Sequence, residues 1–254
     1  MRYIAKPAEE PGAIREYVAA QSPVGHGLDY PTFASTRSPN PPHRTRGGEL
    51  CQELVAQQFG LCAYTGAGID ERLGRLSDPA KKLKFKVHNE HLKPQSRCKE
   101  EMEAQGCAYG TVLGEDMHHR NIVAALLVEG AGGKTKVNKA DLFGAAHREN
   151  DRVPVLPTDP TCENRFTYHP EDGSISATTQ SDADARESIR VLNLNEGTLS
   201  GWRLHAIDTF TEVIMSREDA ELVIQRTTVP QDGRLPEYCF AIRQAAQLLL
   251  DLAA

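Results

Sequence analysis

Apolar and basic residues alternate along residues 83–87, a period of two that is typical of a half-buried β-strand. Residues 122–128 are apolar without interruption, which favours a buried strand, although a helix also fits such a run. Glycines at residues 130–133 interrupt the apolar run, and residues 141–149 have the pattern of a short helix. The pattern therefore predicts the order strand, strand, helix in the middle of the chain.

Helical patterns surround this central order. A turn signal at Asp172-Gly173 lies between two short β-prone runs and predicts a hairpin. Residues 22–46 contain five prolines, which predicts a loop or an extended arm. Apolar residues at helical spacing predict helices over residues 8–20, 48–59, 182–191, 199–215 and 237–252.

The whole pattern predicts an α+β fold in a mostly helical chain, which fits either one large domain or a small catalytic unit wrapped in helical extensions. A chain of 254 residues is long enough to bury a substantial core. We divide it into an N-terminal segment with the proline-rich arm and a helix (residues 1–60), a core (61–152), and a C-terminal hairpin and helical region (153–254).

Composition and charge narrow the classes of function. No stretch approaches the run of about 18 apolar residues that a membrane span needs, and residues 1–6 do not resemble a secretion signal, so we expect a cytoplasmic protein. The six cysteines are widely spaced and are expected to be reduced. The net charge of −6 disfavours a free-standing nucleic-acid binder. Either the positive charge is local, or a partner helps to deliver the substrate.

Candidate chemistry lies at Glu90-His91, Asn121 and His147, one on each element of the central order. Hydrolysis of a phosphodiester needs a base for water and a counter-charge for the developing oxyanions. Imidazole suits the first task, because its ordinary pKa is near 6.5. We assign His91 as the base, Glu90 and His147 as ligands of a divalent ion, and Asn121 as the residue that fixes the loop or backbone at His91.

Other interpretations of these residues stay open. The chain has nine histidines, so a His-Asn-His order arises easily by chance. Adjacent residues of a regular strand point to opposite faces, so Glu90 and His91 share a site only if the strand ends or bulges there, which Pro94 favours. His88 and the pair His118-His119 are competing candidates.

A resemblance to a known family rests on several segments. Residues 90–96 match the pattern Glu-His-x-x-Pro-x-Ser, and residues 62–64 resemble the turn that precedes it in HNH endonucleases. The flanking residues 1–6 and 190–195 are similar to those of the PtuB-like HNH endonucleases of the Septu and retron-associated antiphage systems. The resemblance covers about residues 1–207.

The resemblance implies an HNH ββα-metal nuclease core in residues 61–152. In it His91 would be the general base, Glu90 would lie beside the metal, and Asn121 would be the middle residue of the motif. His147 would serve the catalytic centre as a further metal ligand. A mixed carboxylate and imidazole site with open positions suits a hard ion, so we expect Mg²⁺, with Mn²⁺ as a substitute. The implied substrate is nucleic acid, DNA in preference to RNA or tRNA, and the implied partner is a PtuA-like ATPase in a hetero-oligomer.

One departure from the family concerns zinc. Many relatives bind a structural zinc through four cysteines, of which this chain keeps Cys62 alone. A structural zinc of that kind is therefore not expected here, although Cys98, Cys107 and Cys162 offer a remodelled site. Thr65, Leu126 and Ala146 stand at the other three positions.

Two further hypotheses compete with the nuclease. The chain could be a non-catalytic subunit that keeps the fold in order to bind nucleic acid or the ATPase. It could also be a structural zinc protein that uses His88, His91 and cysteines.

Overall fold

The central strand order is present as an antiparallel hairpin. The structure, a computed structural model, describes residues 1–77, 80–130 and 137–252. In these ranges β1 (Leu83–His91) pairs with β2 (Ile122–Gly130) along its whole length, from Leu83 opposite Gly130 to His91 opposite Ile122. The alternation in residues 83–87 and the apolar run at 122–128 are thus both strands, while most of the glycine-rich break at 130–133 lies outside the described residues.

β2 is the buried strand of the hairpin, because helices pack against it. The contacts come from α3 (Arg46–Gln57) and α5 (Ala145–Arg148). Thr45 caps α3 by accepting a hydrogen bond from the Gly48 amide, so the helix starts where its apolar side can meet the hairpin. Continuous apolar residues are expected in such a strand, since both of its faces are covered.

The other elements are mostly helical, and the fold is mixed α+β, as the pattern predicts. A second hairpin pairs β3 (Phe166–Tyr168) with β4 (Ile175–Ala177) around the Asp172-Gly173 turn. The remaining α-helices of the described chain are α1 (Gly12–Gln21), α2 (Tyr30–Ser35), α4 (Gln95–Ala104), α6 (Ala183–Val191), α7 (Gly197–Thr211), α8 (Arg217–Thr228) and α9 (Cys239–Leu252). Short 3-10 helices occupy Glu71–Arg75, Glu115–Met117, His119–Asn121, Lys139–Asp141 and Cys162–Arg165.

Some elements differ from the sequence prediction. The proline-rich arm contains α2, because Asp29 caps it and Pro31 sits in the first turn, where proline is tolerated. The helix predicted over 199–215 ends at Thr211, and Ser216 starts the separate helix α8. The helix predicted over 141–149 is reduced to the four residues of α5 after Gly144, which has a φ of 61°.

One large apolar core includes residues of the N-terminal, central and C-terminal segments. Trp202 of α7 packs edge-on against Phe85 of β1, with ring centroids 5.1 Å apart, and against Phe143 at 5.8 Å. These aromatic contacts join the C-terminal helices to the hairpin. In the described ranges no helix combines the length and apolarity that crossing a membrane requires.

Residues 4–10 run as a strap over the end of the hairpin. The Ile4 amide donates to the Pro157 carbonyl over 2.7 Å, and the Lys6 ammonium donates to the carbonyl of Ile122, the first residue of β2. His119 hydrogen-bonds with the Pro7 carbonyl over 3.0 Å. The strap therefore contacts the same end of the hairpin at which the sequence places the candidate chemistry.

Candidate active site at the end of the hairpin

Glu90 lies on a regular part of β1 and faces α5. Its Oε1 lies 3.0 Å from Nη1 of Arg148, and its Oε2 lies 3.6 Å from Nε2 of His88. Burial raises the pKa of the Glu90 carboxyl to about 7, although the Arg148 guanidinium acts in the opposite direction. The carboxyl is therefore divided between its neutral and ionised forms near neutral pH.

Arg148 is fully buried and ties α5 to the hairpin. Besides Glu90, its guanidinium donates to the Tyr64 hydroxyl over 2.6 Å and to the Leu92 carbonyl over 3.3 Å. Burying a guanidinium is costly unless it is paired and hydrogen-bonded, so these contacts depend on one another. The helix that follows the hairpin therefore does reach Glu90, and it does so with a cation.

His91, the last residue of β1, faces the other way. Its Nε2 lies 2.9 Å from the Asp116 carbonyl, which can only accept, so Nε2 carries the proton. Nδ1 then accepts from the Gln95 side-chain amide, 3.1 Å away. The ring meets Tyr30 edge-on at 4.4 Å, and burial lowers the pKa of His91 to about 4. The imidazole is thus neutral at pH 7 and has its lone pair on Nδ1.

Glu90 and His91 share none of these partners. The ladder stays in register to His91 opposite Ile122, with no bulge, so the two side chains point to opposite faces of the hairpin. The sequence predicts a shared site for Glu90 and His91 only if the strand ends or bulges at this pair. The strand does end at His91, but only after both residues have joined the ladder.

Asn121 holds the loop that follows His91. Its Oδ1 accepts from the Lys93 amide over 2.7 Å, and its Nδ2 donates to the carbonyls of Lys93 at 3.2 Å and Glu115 at 3.3 Å. The Asn121 carbonyl also accepts from the Leu92 amide over 2.8 Å. Asn121 therefore lies where a residue that fixes the His91 loop must lie.

His147 makes its contact elsewhere. Its Nδ1 lies 2.8 Å from the carbonyl of Val191, at the end of α6. Successive residues of an α-helix are rotated by about 100°, so a single turn presents only one of His147 and Arg148 to the hairpin. In α5 that residue is Arg148. The sequence assigned Glu90 and His147 as a pair of ligands, and the structure gives Glu90 a different partner.

These residues do not fit the predicted Mg²⁺. Mg²⁺ is held by carboxylate oxygens and water in a near-octahedral shell, whereas Glu90 is a single carboxyl already paired with a buried guanidinium. In the described part of the chain, only Glu10, His118 and His119 form a group of three side chains able to hold a metal ion. That group includes neither Glu90 nor His147, and it includes no cysteine.

A cleft of about 650 Å³ adjoins the loop held by Asn121. Lys93 on its wall is neutralised by Glu101 and by Glu115, the latter at 2.7 Å. Arg120 and Arg152, by contrast, are exposed and form no ion pair within the described residues. Further lining residues that matter here are Arg97, His118, Asn121 and Asn150.

Sequence reasoning missed several residues of the site. Gln95 lies within the recognised segment 90–96, so its contact with His91 had a signal in the sequence. Arg148 had no such signal in the sequence, because an arginine beside a candidate histidine looks like an ordinary surface residue. The contact between His91 and Asp116 joins the end of β1 to the 3-10 helix Glu115–Met117 and cannot be derived from spacing.

No family model matches the chain, and no curated protein matches it.

Proposed function

We propose that this chain is an HNH-type endonuclease that hydrolyses phosphodiester bonds of nucleic acid, DNA in preference to RNA. The observation that carries the proposal is the fixed state of His91. The Asp116 carbonyl holds its Nε2–H, Asn121 holds the loop behind it, and its lone pair is on Nδ1. A general base needs this combination of orientation and neutrality.

His91 would take a proton from water at Nδ1. The Gln95 amide now occupies that position, so it must turn aside or be replaced by the water. When Nδ1 is protonated, the bond from Nε2–H to the Asp116 carbonyl becomes charge-assisted and stabilises the imidazolium. Arg120 and Arg152 at the nearby cleft would hold the phosphate backbone.

The predicted dependence on Mg²⁺ or Mn²⁺ rests on a mixed carboxylate and imidazole donor set with open positions. Because the partners of Glu90 and His147 do not suit such an ion, we assign no step to it. The cleavage assay therefore includes separate reactions with Mg²⁺, with Mn²⁺ and with EDTA.

The experiment incubates the purified chain with plasmid DNA and with tRNA in each of these conditions. His91→Ala is expected to lower the cleavage rate at least about 100-fold, the usual loss when a general base is removed. His205→Ala removes an exposed histidine of α7 and serves as the matched control, with no change expected. Circular dichroism of each variant checks the fold. Cleavage by His91→Ala at the rate of the unmodified chain would refute the assignment.

A second candidate is a non-catalytic subunit that binds nucleic acid. Two observations favour it: Arg148 already neutralises Glu90, and His91 is only 5% exposed with both ring nitrogens bonded. This candidate predicts binding in fluorescence anisotropy but no cleavage in any ion condition, even at high protein concentration.

We also propose that the chain works in antiphage defence with a PtuA-like ATPase in a hetero-oligomer. The net charge of −6 supports this, because a partner would supply the binding surface that an acidic subunit lacks. Co-expression followed by size-exclusion chromatography tests it, and the cleavage assay is repeated on the complex. Separate elution of the two chains would contradict the proposal.

A further inference from the structure

Three side chains form a cluster below the strap, away from Glu90. Glu10 is at the end of the strap, and His118 and His119 precede Asn121. Each offers one ligand atom, and these three atoms all lie within 4.8 Å of one another. The two imidazole rings are stacked nearly parallel, with centroids 5.3 Å apart and planes at 20°.

The hydrogen bonding of His119 fixes which of its nitrogens has the lone pair. Nε2 lies 3.0 Å from the Pro7 carbonyl, and a carbonyl only accepts, so Nε2 is protonated. Nδ1 therefore has the lone pair in the neutral ring. A metal-bound histidine has this arrangement, in which one nitrogen donates to a carbonyl while the other binds the ion.

The same nitrogen is buried and has no hydrogen-bond partner. His119 is 2% exposed, and its Nδ1 faces Oε1 of Glu10 at 3.7 Å, beyond hydrogen-bond distance. A lone pair and a carboxylate oxygen repel each other unless a cation lies between them. In a tetrahedral zinc site the ligand atoms are about 3.3 Å apart, since each lies about 2.0–2.2 Å from the ion. The observed 3.7 Å needs little adjustment. His118 is exposed, and since its Nδ1 accepts from the Arg120 amide at 3.4 Å, its Nε2 is the nitrogen left to bind an ion.

We propose that Glu10, His118 and His119 bind a divalent transition-metal ion of the zinc class. Two imidazoles and one carboxylate favour Zn²⁺ over the harder Mg²⁺ and Ca²⁺, which prefer oxygen ligands. Three protein ligands leave a fourth position open. His118 also lines the cleft, so the open position lies at the cleft rim. This inference is independent of the proposed nuclease, whose predicted ion is at Glu90.

The test uses the full chain, stripped of metal with EDTA and titrated with Zn²⁺ against a chromophoric chelator. One equivalent is expected to bind, and Glu10→Gln and His118→Ala are each expected to weaken binding at least about tenfold, as loss of a ligand does. Both residues are at least partly exposed, so the variants should fold. The matched controls Glu9→Gln and His205→Ala, at exposed positions, are expected to bind as the unmodified chain does.

A second readout identifies the ligands. Co²⁺ in place of Zn²⁺ is expected to give the visible absorption of a four-coordinate site, and this absorption should disappear in His119→Gln. Failure to bind Zn²⁺ would overturn the proposal. It would mean that a proton, and not a metal ion, lies between Nδ1 of His119 and Oε1 of Glu10. Binding that survives in all three ligand variants, or that is lost in Glu90→Gln instead, would also overturn it.

Discussion

Three ionisable side chains near the end of β1 share a preference for the neutral form: His88 and Glu90, which lie 3.6 Å apart, and His91 on the opposite face. Burial lowers the pKa of His88 and of His91 to about 4 and raises that of Glu90 to about 7. All three shifts favour the neutral form, so Arg148 is the main permanent charge of the cluster. The cluster therefore responds to pH in the acidic range, where its histidines take up protons.

The shifts of the two histidines predict acid sensitivity. Between about pH 4 and pH 6.5 the folded chain binds fewer protons at His88 and His91 than the unfolded chain does. Their stabilising contribution is complete above pH 6.5 and is lost as the pH falls towards 4. Glu90 has the opposite sign, since its raised pKa makes stability fall as the pH rises from about 4.5 to 7.

The measurement is urea unfolding at pH 7 and pH 5. His88→Asn is expected to lose about 1 to 2 kcal/mol less stability between these pH values than the unmodified chain. Because His88 lies 3.6 Å from Glu90, the comparison is repeated in the Glu90→Gln background, which removes the titration of Glu90 from both proteins. His205→Asn is the control, and it should behave as the unmodified chain does. An equal loss in His88→Asn would show that burial of His88 does not set the pH response.

At the scale of elements, α5 decides which side chain meets the hairpin. The helix has a single turn, and its orientation buries Arg148 while His147 contacts the end of α6. The guanidinium joins Glu90 of β1, Tyr64 and the Leu92 carbonyl. Arg148 is therefore the main polar link between the helix and both the hairpin and the turn before it.

Removing this link should destabilise the chain strongly. Arg148→Met is expected to cost about 3 to 5 kcal/mol, because it leaves Glu90 buried without its partner. In the double variant Arg148→Met/Glu90→Gln the cost is expected to be smaller than the sum of the single costs, as measured by urea unfolding. Arg186→Met, at an exposed position of α6, is the control with little change. Additive costs would mean that the two groups do not depend on each other.

The elements that the sequence predicts best are those with a strong hydrophobic period. Alternation at residues 83–87 and the apolar run at 122–128 indicate β1 and β2, and the helical intervals near the C-terminus indicate α9. Helix α2 was not predicted because its single proline, Pro31, lies in a first turn capped by Asp29, where proline is tolerated. The length and orientation of α5 could not be predicted, because a helix of four residues is too short to show a hydrophobic period. The partners of Glu90 and His91 depend on that orientation and on loops, so spacing alone could not give them.

At the scale of the whole molecule, one cleft has unpaired positive charges although the net charge is −6. Arg120 and Arg152 lie on the wall of one cleft, exposed and without an ion pair in the described ranges, beside a loop whose lysine is already neutralised. Nucleic acid that binds this chain should therefore depend on these two arginines more than on Lys93.

The salt dependence of binding tests this. In Arg120→Gln/Arg152→Gln the slope of log affinity against log salt is expected to fall by about 1.8, since each phosphate contact contributes about 0.9. Fluorescence anisotropy with a labelled duplex at several salt concentrations measures the slope. Arg186→Gln, which removes a charge that does not line the cleft, should leave it unchanged. An unchanged slope in the double variant would place the binding surface elsewhere.

The strap formed by residues 4–10 has a consequence for how the chain is made. Its partners are the Ile122 and Pro157 carbonyls and the ring of His119, all of which follow it by more than 100 residues. A ribosome releases the strap before these partners, so Lys6 and Pro7 lack their native contacts until residue 122 has emerged, and Ile4 lacks its contact until residue 157 has emerged. Any chemistry at this end of the hairpin that depends on the strap can therefore begin only after segments more than 100 residues apart in the chain have been made and have packed together.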